Sequence, residues 1–460
     1  MTEFSSQLSL NFFTKKPLEA KFSRLDLSSD AGVLLVRQAE EQLKICEGLA
    51  DCLEDNREPG KVKHSLHQLI SQRVYQIASG YEDSNDSNYL RDDPIFKIAC
   101  DKVPLPGEEL LASQPTMSRW ENQVTNREIK GMRRFFVDQF LKSYSQQPEE
   151  ILLDIDGWDA LTHGHQQLSL FHGYYGHYIY FPVLINEAGS GYPLVLQLRA
   201  GNSHPGKGVA GILRWLFWRL RKAMPGVRII LRGDAGFSLP EILKVCERSE
   251  VKYAFGYSSN AVLKQKISYL LDQARLQYHR TGEKARLFDD VYYAAGTWKE
   301  PRRVVMKAEW LEKGANPRFI VTNLLTDAQE LYDDFYVQRG ASSEHRIKEL
   351  KLGIKADRLS CQKFIVNQFR LFLSQAAYIL LLGIREAAQG TRLAKATVSR
   401  LKETLIKTAA KVSVSVRKVL VELASHCPFA YEISLISLRL SSGVQLIFLK
   451  PSLPSIIVSK

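Results

Sequence analysis

Cysteine is scarce: six residues in 460, none in a C-x-x-C pair. Cys46, Cys52, Cys100, Cys246, Cys361 and Cys427 are too sparse for a disulfide framework in a chain of this size, so they read as reduced, mostly buried thiols. No run of eighteen apolar residues occurs. The longest candidate, Leu371 to Ile384, is broken by Ser374 and Gln375, and Met1 to Lys15 lacks a charged-then-apolar signal pattern, so a soluble cytoplasmic protein is expected. Internal repeats and low-complexity tracts are also missing, and a hydrophobic content of 45% excludes wholesale disorder. Acidic residues are the rarer charge, 50 against 62 basic, for a net charge of +12 that suits a polyanionic partner. From Lys207 to Arg232 there are seven basic residues and no acidic one; from Arg392 to Lys418 there are eight and a single Glu. Clustering of this kind favours a surface that tracks phosphates.

What is present divides the chain into five stretches. Residues 1–149 carry helical apolar spacing (Leu35, Ala39, Leu43, Cys46, Leu49, then Leu66, Ile70, Val74, Ile77) and read as a helical N-terminal region, suited to recognising a DNA end or to packing. Residues 150–259 read β-β-β-α-β-α-β: strands at Ile151–Asp156, His177–Ile185 and Pro193–Leu198, a helix from Lys207 to Met224, a strand to Arg232, a helix from Leu239 to Arg248, and a strand Lys252–Gly256. A meander feeding βαβ units predicts a mixed sheet in which the first and fourth strands lie side by side and parallel. Residues 260–326 continue the β pattern and are expected to form an inserted β-rich subdomain. Residues 327–390 read as helices. Residues 391–460 form a basic C-terminal region for DNA binding or dimerisation, helical from Val398 to Leu423 and closing in a hairpin around Ser441-Ser442-Gly443.

Three acidic residues stand where a phosphodiester-transfer site needs them. Asp156 ends the apolar run Ile151-Leu152-Leu153-Asp154-Ile155-Asp156-Gly157, Asp234 ends Val227-Arg228-Ile229-Ile230-Leu231-Arg232-Gly233-Asp234, and Glu344 lies in a basic helical stretch. Carboxylates on strand tips are open to a ligand, and three of them can hold two divalent ions. Each also has a plain structural reading as a turn, a cap or a solvated helix face. Asp154 shares the strand face of Asp156, and Glu349 lies five residues beyond Glu344; both are second choices. Glu344, Ile347, Lys348 and Lys351 fall near one helical face, while Glu349 points elsewhere.

These residues, with His172-Gly173-Tyr174-Tyr175-Gly176, Leu198-Arg199-Ala200-Gly201-Asn202, Arg232-Gly233-Asp234-Ala235-Gly236-Phe237 and Glu344-His345-Arg346-Ile347-Lys348-Glu349-Leu350-Lys351, resemble the DDE transposases of bacterial insertion sequences, most closely the thirteen-eighty insertion-sequence family. The resemblance covers most of residues 65 to 430. It implies an RNase H-like α/β fold: a mixed five-stranded sheet with helices on both faces, interrupted by the β-rich insertion. It implies Asp156, Asp234 and Glu344 as a catalytic metal-binding triad for two Mg²⁺ ions, with Mn²⁺ as a substitute, and Tyr336, Arg339 and Lys351 as residues that hold DNA near the site. Lys348 joins them on the basic face. The implied activity is cut-and-paste transposition by hydrolysis and strand transfer, with a homodimer holding the transposon ends in a synaptic complex near the bacterial nucleoid.

The family signature has three residues between the Arg and the Glu, whereas Gly340 to Ser343 make four here. An extra residue turns a helix by about 100°, so either Gly340 breaks the helix and absorbs it or Tyr336 and Arg339, turned from the face of Glu344, lose their implied roles. Trp298, beside Lys299, Arg302 and Arg303, could stack on a base displaced from a DNA terminus and so suit a hairpin intermediate; packing of the small subdomain is the alternative. His163, His165, His172 and His177 match no familiar zinc spacing and suggest packing or DNA contact. Two other readings remain. Leu153-Asp154-Ile155-Asp156 resembles the D-x-D motif of haloacid-dehalogenase-like phosphatases, with Asp154 as nucleophile, and a catalytically silent, transposase-derived DNA-binding protein would keep the basic surfaces alone.

Overall fold

The computed structural model, which describes residues 7–10, 12, 15–22 and 24–443, begins with three short strands, β1 (Gln7–Leu10), β2 (Leu18–Lys21) and β3 (Leu27–Ser28). Helices then run to residue 142. Two of them, Leu66–Ala78 and Asn126–Lys142, start with complete capping boxes, Ser65 with Gln68 and Thr125 with Glu128. Each box satisfies free amides at the helix start from both directions.

The centre of the molecule is one sheet. Its strands are β4 (Glu150–Gly157), β8 (Val183–Glu187), β9 (Pro193–Gln197), β10 (Arg228–Gly233), β11 (Lys252–Tyr257), β12 (Ala285–Tyr293), β13 (Arg302–Leu311), β14 (Gly314–Ala315) and β15 (Arg318–Thr322). Between β4 and β8 the chain makes a separate small sheet of β5 (Ala160–Leu161), β6 (Leu170–His172) and β7 (His177–Tyr180). The main order is β12-β13-β15-β11-β10-β4-β8-β9, with β14 on β13. β4, β10 and β11 are parallel; β8 and β9 form the antiparallel meander. The expected strand His177–Ile185 is split at Phe181-Pro182, β7 going to the small sheet and only β8 joining β4, β9, β10 and β11, which stand side by side within a sheet of nine. Antiparallel pairing of β15 with β11 extends the same sheet into residues 285–322 rather than beginning a detached subdomain. The helix Ala261–Thr281 also lies in this stretch, where only β structure was expected; Leu263, Ile267, Leu270 and Ala274 bury its inner face at helical spacing.

The helix Phe364–Ala387 is long and apolar enough to cross a membrane, but 89% of its apolar window is buried in the fold. Its rings pack on the N-terminal helices, Phe369 on Trp120 at 5.2 Å and Phe372 on Phe136 at 5.5 Å. On the sheet side, Gln368 accepts from the Leu198 amide and donates to the Leu196 carbonyl. Ser374 and Gln375, which interrupt its apolar run, are buried too, and Gln375 donates to the Pro193 carbonyl at 2.7 Å.

Two C-terminal expectations are corrected. The helix predicted from Val398 to Leu423 ends at Ile406, and β16 (Ala410–Val414) and β17 (Val419–Leu423) follow, joined to β3. Val412, Val414, Val419 and Val421 supply the β-branched alternation that decides it. In place of the hairpin expected from alternation over Tyr431 to Leu449, residues Ala430–Ser441 form a helix that buries Glu432, Ile436 and Leu440 at i, i+4, i+8; residues 444–449 lie outside the described residues. The N-terminal helices pack on the C-terminal elements, with Lys407 paired to Asp30 at 2.6 Å and Gln42 reaching the Leu440 carbonyl.

Candidate active site

The register Gly233↔Ile155 between parallel β10 and β4 places Asp234, one residue past its strand, level with Asp156. The two carboxylates act on each other electrostatically. Burial chiefly, with the charge of Asp234 adding to it and that of Arg339 opposing it, pushes the Asp156 carboxyl up from 3.8 to about 6. Asp234 forms the Asx turn expected of it, accepting from the Gly236 amide at 2.9 Å.

Asp154 has a different fate. It is fully buried, and Arg232 on the neighbouring strand grips both its oxygens, Nε at 2.8 Å and Nη2 at 3.0 Å. The same guanidinium donates to the Phe335 carbonyl at 2.7 Å and lies 5.0 Å from the Phe335 ring. Asp154 thus fastens the helical segment that carries Glu344 to the sheet. A nucleophilic Asp154, as a haloacid-dehalogenase-like phosphatase requires, is contradicted: no substrate reaches a carboxylate with this burial and this partner.

From Ala328 to Ile354 the backbone is nearly continuous helix, with π-helical turns at Leu331–Tyr336, Gly340–Glu344 and Glu349–Ile354. Gly340 does not break it. Five residues at roughly 82° each, the π-turn angle, advance about 410°, against about 400° for four α-helical residues. Arg339 nevertheless faces the sheet while Glu344 is exposed, so of the two expected alternatives the break at Gly340 falls away and the separation of the two faces stands. Phe335, Arg339 and Ser343 then form one stripe on the sheet: Arg339 Nη1 donates to Asp156 Oδ2 at 3.0 Å, and Ser343 Oγ donates to the same oxygen at 3.2 Å. The Gly157 amide donates to Oδ1 at 2.8 Å.

Tyr336 joins this group. A Cβ on Gly256 of β11 would sit 2.6 Å from the Tyr336 hydroxyl oxygen and 3.0 Å from the Ala235 amide nitrogen, so only glycine lets Tyr336 approach the Asp234 turn. Burial raises the Tyr336 hydroxyl pKa, Arg339 opposes the rise and Asp234 adds to it. Lys351 pairs with Asp159 at 3.0 Å, and Lys348 is exposed.

Glu344 is exposed and has no hydrogen bond among the described residues; it does not meet the two aspartates, and no group of three Asp, Glu, His or Cys side chains there is placed to hold a metal ion. Glu349 is committed elsewhere: it is buried and accepts from Arg346 (3.1 Å), Tyr378 (2.7 Å), Arg385 (2.9 Å) and the Val398 amide (3.2 Å). Burial raises its carboxyl pKa, yet Arg385, Tyr378 and Arg346 outweigh that and hold it below the usual value. It ties helices together.

The expected base-stacking group is also displaced. Trp298 is buried against Tyr257 (5.1 Å) and Tyr293 (5.7 Å), with the Arg302 guanidinium over its ring. Arg302 is held by Glu247 of the Pro240–Arg248 helix, on the sheet face opposite Phe335. Arg303 is buried and engaged by Asp290 and by the Leu324 and Thr326 carbonyls. As placed, all three are packing residues, which is a correction to their expected contact with DNA.

Sequence reasoning overlooked Ser343, which is four residues beyond Arg339 on the same stripe, and Asp159, three beyond Asp156. Tyr175 entered only within the His172-Gly173-Tyr174-Tyr175-Gly176 motif; burial chiefly, with the charges of Asp159, Asp156 and Asp234 adding to it, raises its pKa.

An α/β sheet that aligns two carboxylates on parallel strand tips, beneath a helix bearing Arg339, Lys348 and Lys351, defines an enzyme that works on a phosphate backbone. The family model described as "Transposase DDE domain group 1" matches residues 10–444, so the chain belongs to the DDE transposases and is a DNA transposase. The piggyBac transposase synaptic complex with hairpin DNA is similar to this chain at 12% identity and a TM-score of 0.43, over 82% of this chain and 80% of that one. No curated protein matches.

Proposed function

We propose that this transposase moves a bacterial insertion sequence of the thirteen-eighty type by cut-and-paste, using Asp156, Asp234 and Glu344 on an RNase H-like sheet. The observation that carries the reading is the pairing of Asp156 with Asp234 across adjacent parallel strand tips, with the Asp156 carboxyl raised to about 6. Two carboxylates that disfavour each other's charge are a site short of positive charge, which divalent cations supply. The strand order β9-β8-β4-β10-β11, antiparallel then parallel, supports the RNase H-like assignment.

Asp156 and Asp234 would hold Mg²⁺ between them, and Glu344, exposed and apart from them in this structure, would join only once its helical segment moves toward them. Bound there, two such ions would activate water for phosphodiester hydrolysis and stabilise the leaving 3′ oxygen. Arg339 and Tyr336 flank the pair and would meet the phosphate backbone, with Lys348 and Lys351 further along the helix. In the DNA-free protein Arg339 neutralises Asp156. A homodimer on DNA, end recognition by residues 1–149 and DNA binding or dimerisation by residues 391–460 complete the reading, and a hairpin intermediate is compatible with it.

The test is cleavage of a labelled duplex bearing the element's own ends with Mg²⁺, comparing wild type with Asp156→Ala, Asp234→Ala and Glu344→Ala. Loss of cleavage with DNA binding retained is expected in all three. Retained end cleavage in any of them removes that residue from the triad.

A further inference from the structure

Arg199, two residues past β9, is buried, and burial pulls its guanidinium down from 12.5 to about 10 with no carboxylate opposing the change. Backbone carbonyls fill its fork instead. Nε donates to the Phe181 carbonyl at 3.1 Å, while Nη1 donates to the carbonyls of His204 (3.2 Å), Pro205 and Lys207 (3.4 Å). The Phe181 amide donates back to the Arg199 carbonyl at 3.1 Å, and the Phe181 ring lies 5.1 Å from the guanidinium. A buried arginine with this many acceptors and no acidic partner among the described residues is a brace between two segments of backbone.

Each of those segments presses on one of the two aspartate turns. On one side the Phe181 ring stands against Gly157, where a Cβ would lie 3.2 Å from Phe181 Cζ. The Gly157 amide is the donor to Asp156 Oδ1. On the other side residues 204–207 form a corner that stands against Gly236. A Cβ on Gly236 would lie 2.7 Å from Pro205 Cβ, and one on Gly206 would lie 2.9 Å from the Gly236 carbonyl oxygen. The Gly236 amide is the donor to Asp234 Oδ1. Both aspartates are therefore oriented by a glycine amide, and both glycines are backed by a segment that Arg199 holds.

We propose that Arg199 is a positioning residue for the acidic pair: by bracing Phe181 and residues 204–207 at once, it sets the two glycine amides that orient Asp156 and Asp234. This rests on the metal-binding reading of that pair. Arg199 donates to neither carboxylate and acts through geometry. Its rigid planar fork serves both segments from one centre, which a single ammonium group on a flexible stem does not reproduce. Outer groups of this kind fix the direction of a metal-binding carboxylate and so its affinity.

The test compares wild type with Arg199→Lys, which keeps the charge and loses the fork, and with Gly206→Ala, which pushes the corner off Gly236 and leaves Arg199 in place. Hydrogen exchange at the Gly157 and Gly236 amides is read by NMR on the folded, DNA-free protein labelled at glycine nitrogen, Mn²⁺ binding by calorimetry, and stability in urea. Arg199→Lys should speed exchange at both amides and weaken Mn²⁺ binding at least about tenfold, as expected for loss of an outer group. Gly206→Ala should speed exchange at Gly236 alone. DNA affinity and its salt dependence should stay those of wild type, because no phosphate contact is removed. An arginine that merely stabilises the fold lowers the urea midpoint and nothing more. Unchanged exchange at the two amides overturns the proposal, as does an Asp156-dependent Mn²⁺ affinity that Arg199→Lys leaves intact, or a loss of DNA affinity with a shallower salt dependence. Asp156→Ala is scored separately: if exchange at both amides speeds up in Arg199→Lys but Mn²⁺ binding does not depend on Asp156, the brace stands and the metal reading falls.

Discussion

Asp154 and Asp156 are two residues apart on one face of one strand, yet the structure demands opposite effects on stability from the same substitution. Asp154→Asn leaves the buried Arg232 without the carboxylate that both its Nε and Nη2 address. Removing one partner of such a pair costs about 3–5 kcal/mol. Asp156 is buried with its carboxyl pKa raised, so its ionised form works against folding. The rise from 3.8 to about 6, at about 1.4 kcal/mol for each tenfold change in proton affinity, amounts to about 3 kcal/mol. Because the folded-state value lies above the unfolded one, stability is fully present below about pH 4 and is lost as the pH rises through about 6. Asp156→Asn should therefore stabilise the metal-free protein at pH 7.5, with the gain vanishing near pH 4, while Asp154→Asn destabilises it at both. Urea unfolding in EDTA, monitored by tryptophan fluorescence across that pH range, measures both. The reasoning is refuted if Asp156→Asn is the more destabilised variant at pH 7.5, or if its gain does not depend on pH.

Glu349→Gln should lose about 3 kcal/mol or more, since Arg346 and Arg385 are left around a neutral group; Glu344→Gln should leave urea stability within about 0.5 kcal/mol, as expected of an exposed side chain, while abolishing end cleavage. Arg339→Gln, which frees the Asp156 carboxylate of its cationic partner, should tighten Mn²⁺ binding to the DNA-free protein at pH 8, read by calorimetry, and weaken DNA binding. Gly256→Val should lower end cleavage at least about tenfold by pushing the Tyr336 hydroxyl from the Asp234 turn, with the pH profile of cleavage displaced; an unaltered rate would show that this close approach is dispensable.

Much of the catalytic half was legible because strand tips announce themselves: an apolar run that ends in Asp and Gly marks both a buried strand and its exposed end. The choice of Asp156 over Asp154 followed from its place at the strand tip and from the family resemblance, but the cross-strand arginine that engages Asp154 depends on register and is invisible along the chain. Residues 261–281 were misread because a helix lying on a sheet edge needs only one narrow apolar stripe, and Leu263, Ile267, Leu270 and Ala274 are diluted among polar residues. Trp298 and Arg303 misled for a related reason. Aromatic and basic residues side by side describe a DNA surface and a cation-lined core equally well, and partners such as Glu247, Asp290 and the Leu324 carbonyl are distant in sequence. The C-terminal strands lost out to the helical spacing before them, since Val398 to Ile406 does start as a helix.

The widened turn at Gly340–Glu344 carries a consequence for how such chains can change. A helix that takes up one residue by opening a single turn keeps its two flanks in phase, so Arg339 stays on Asp156 while Lys351 stays on Asp159. The change is reversible in principle: removing one residue from this turn would return it to α-helical pitch without moving either anchor around the axis. A single-codon insertion or deletion in this turn is then tolerated with neither Arg339 nor Lys351 leaving its carboxylate.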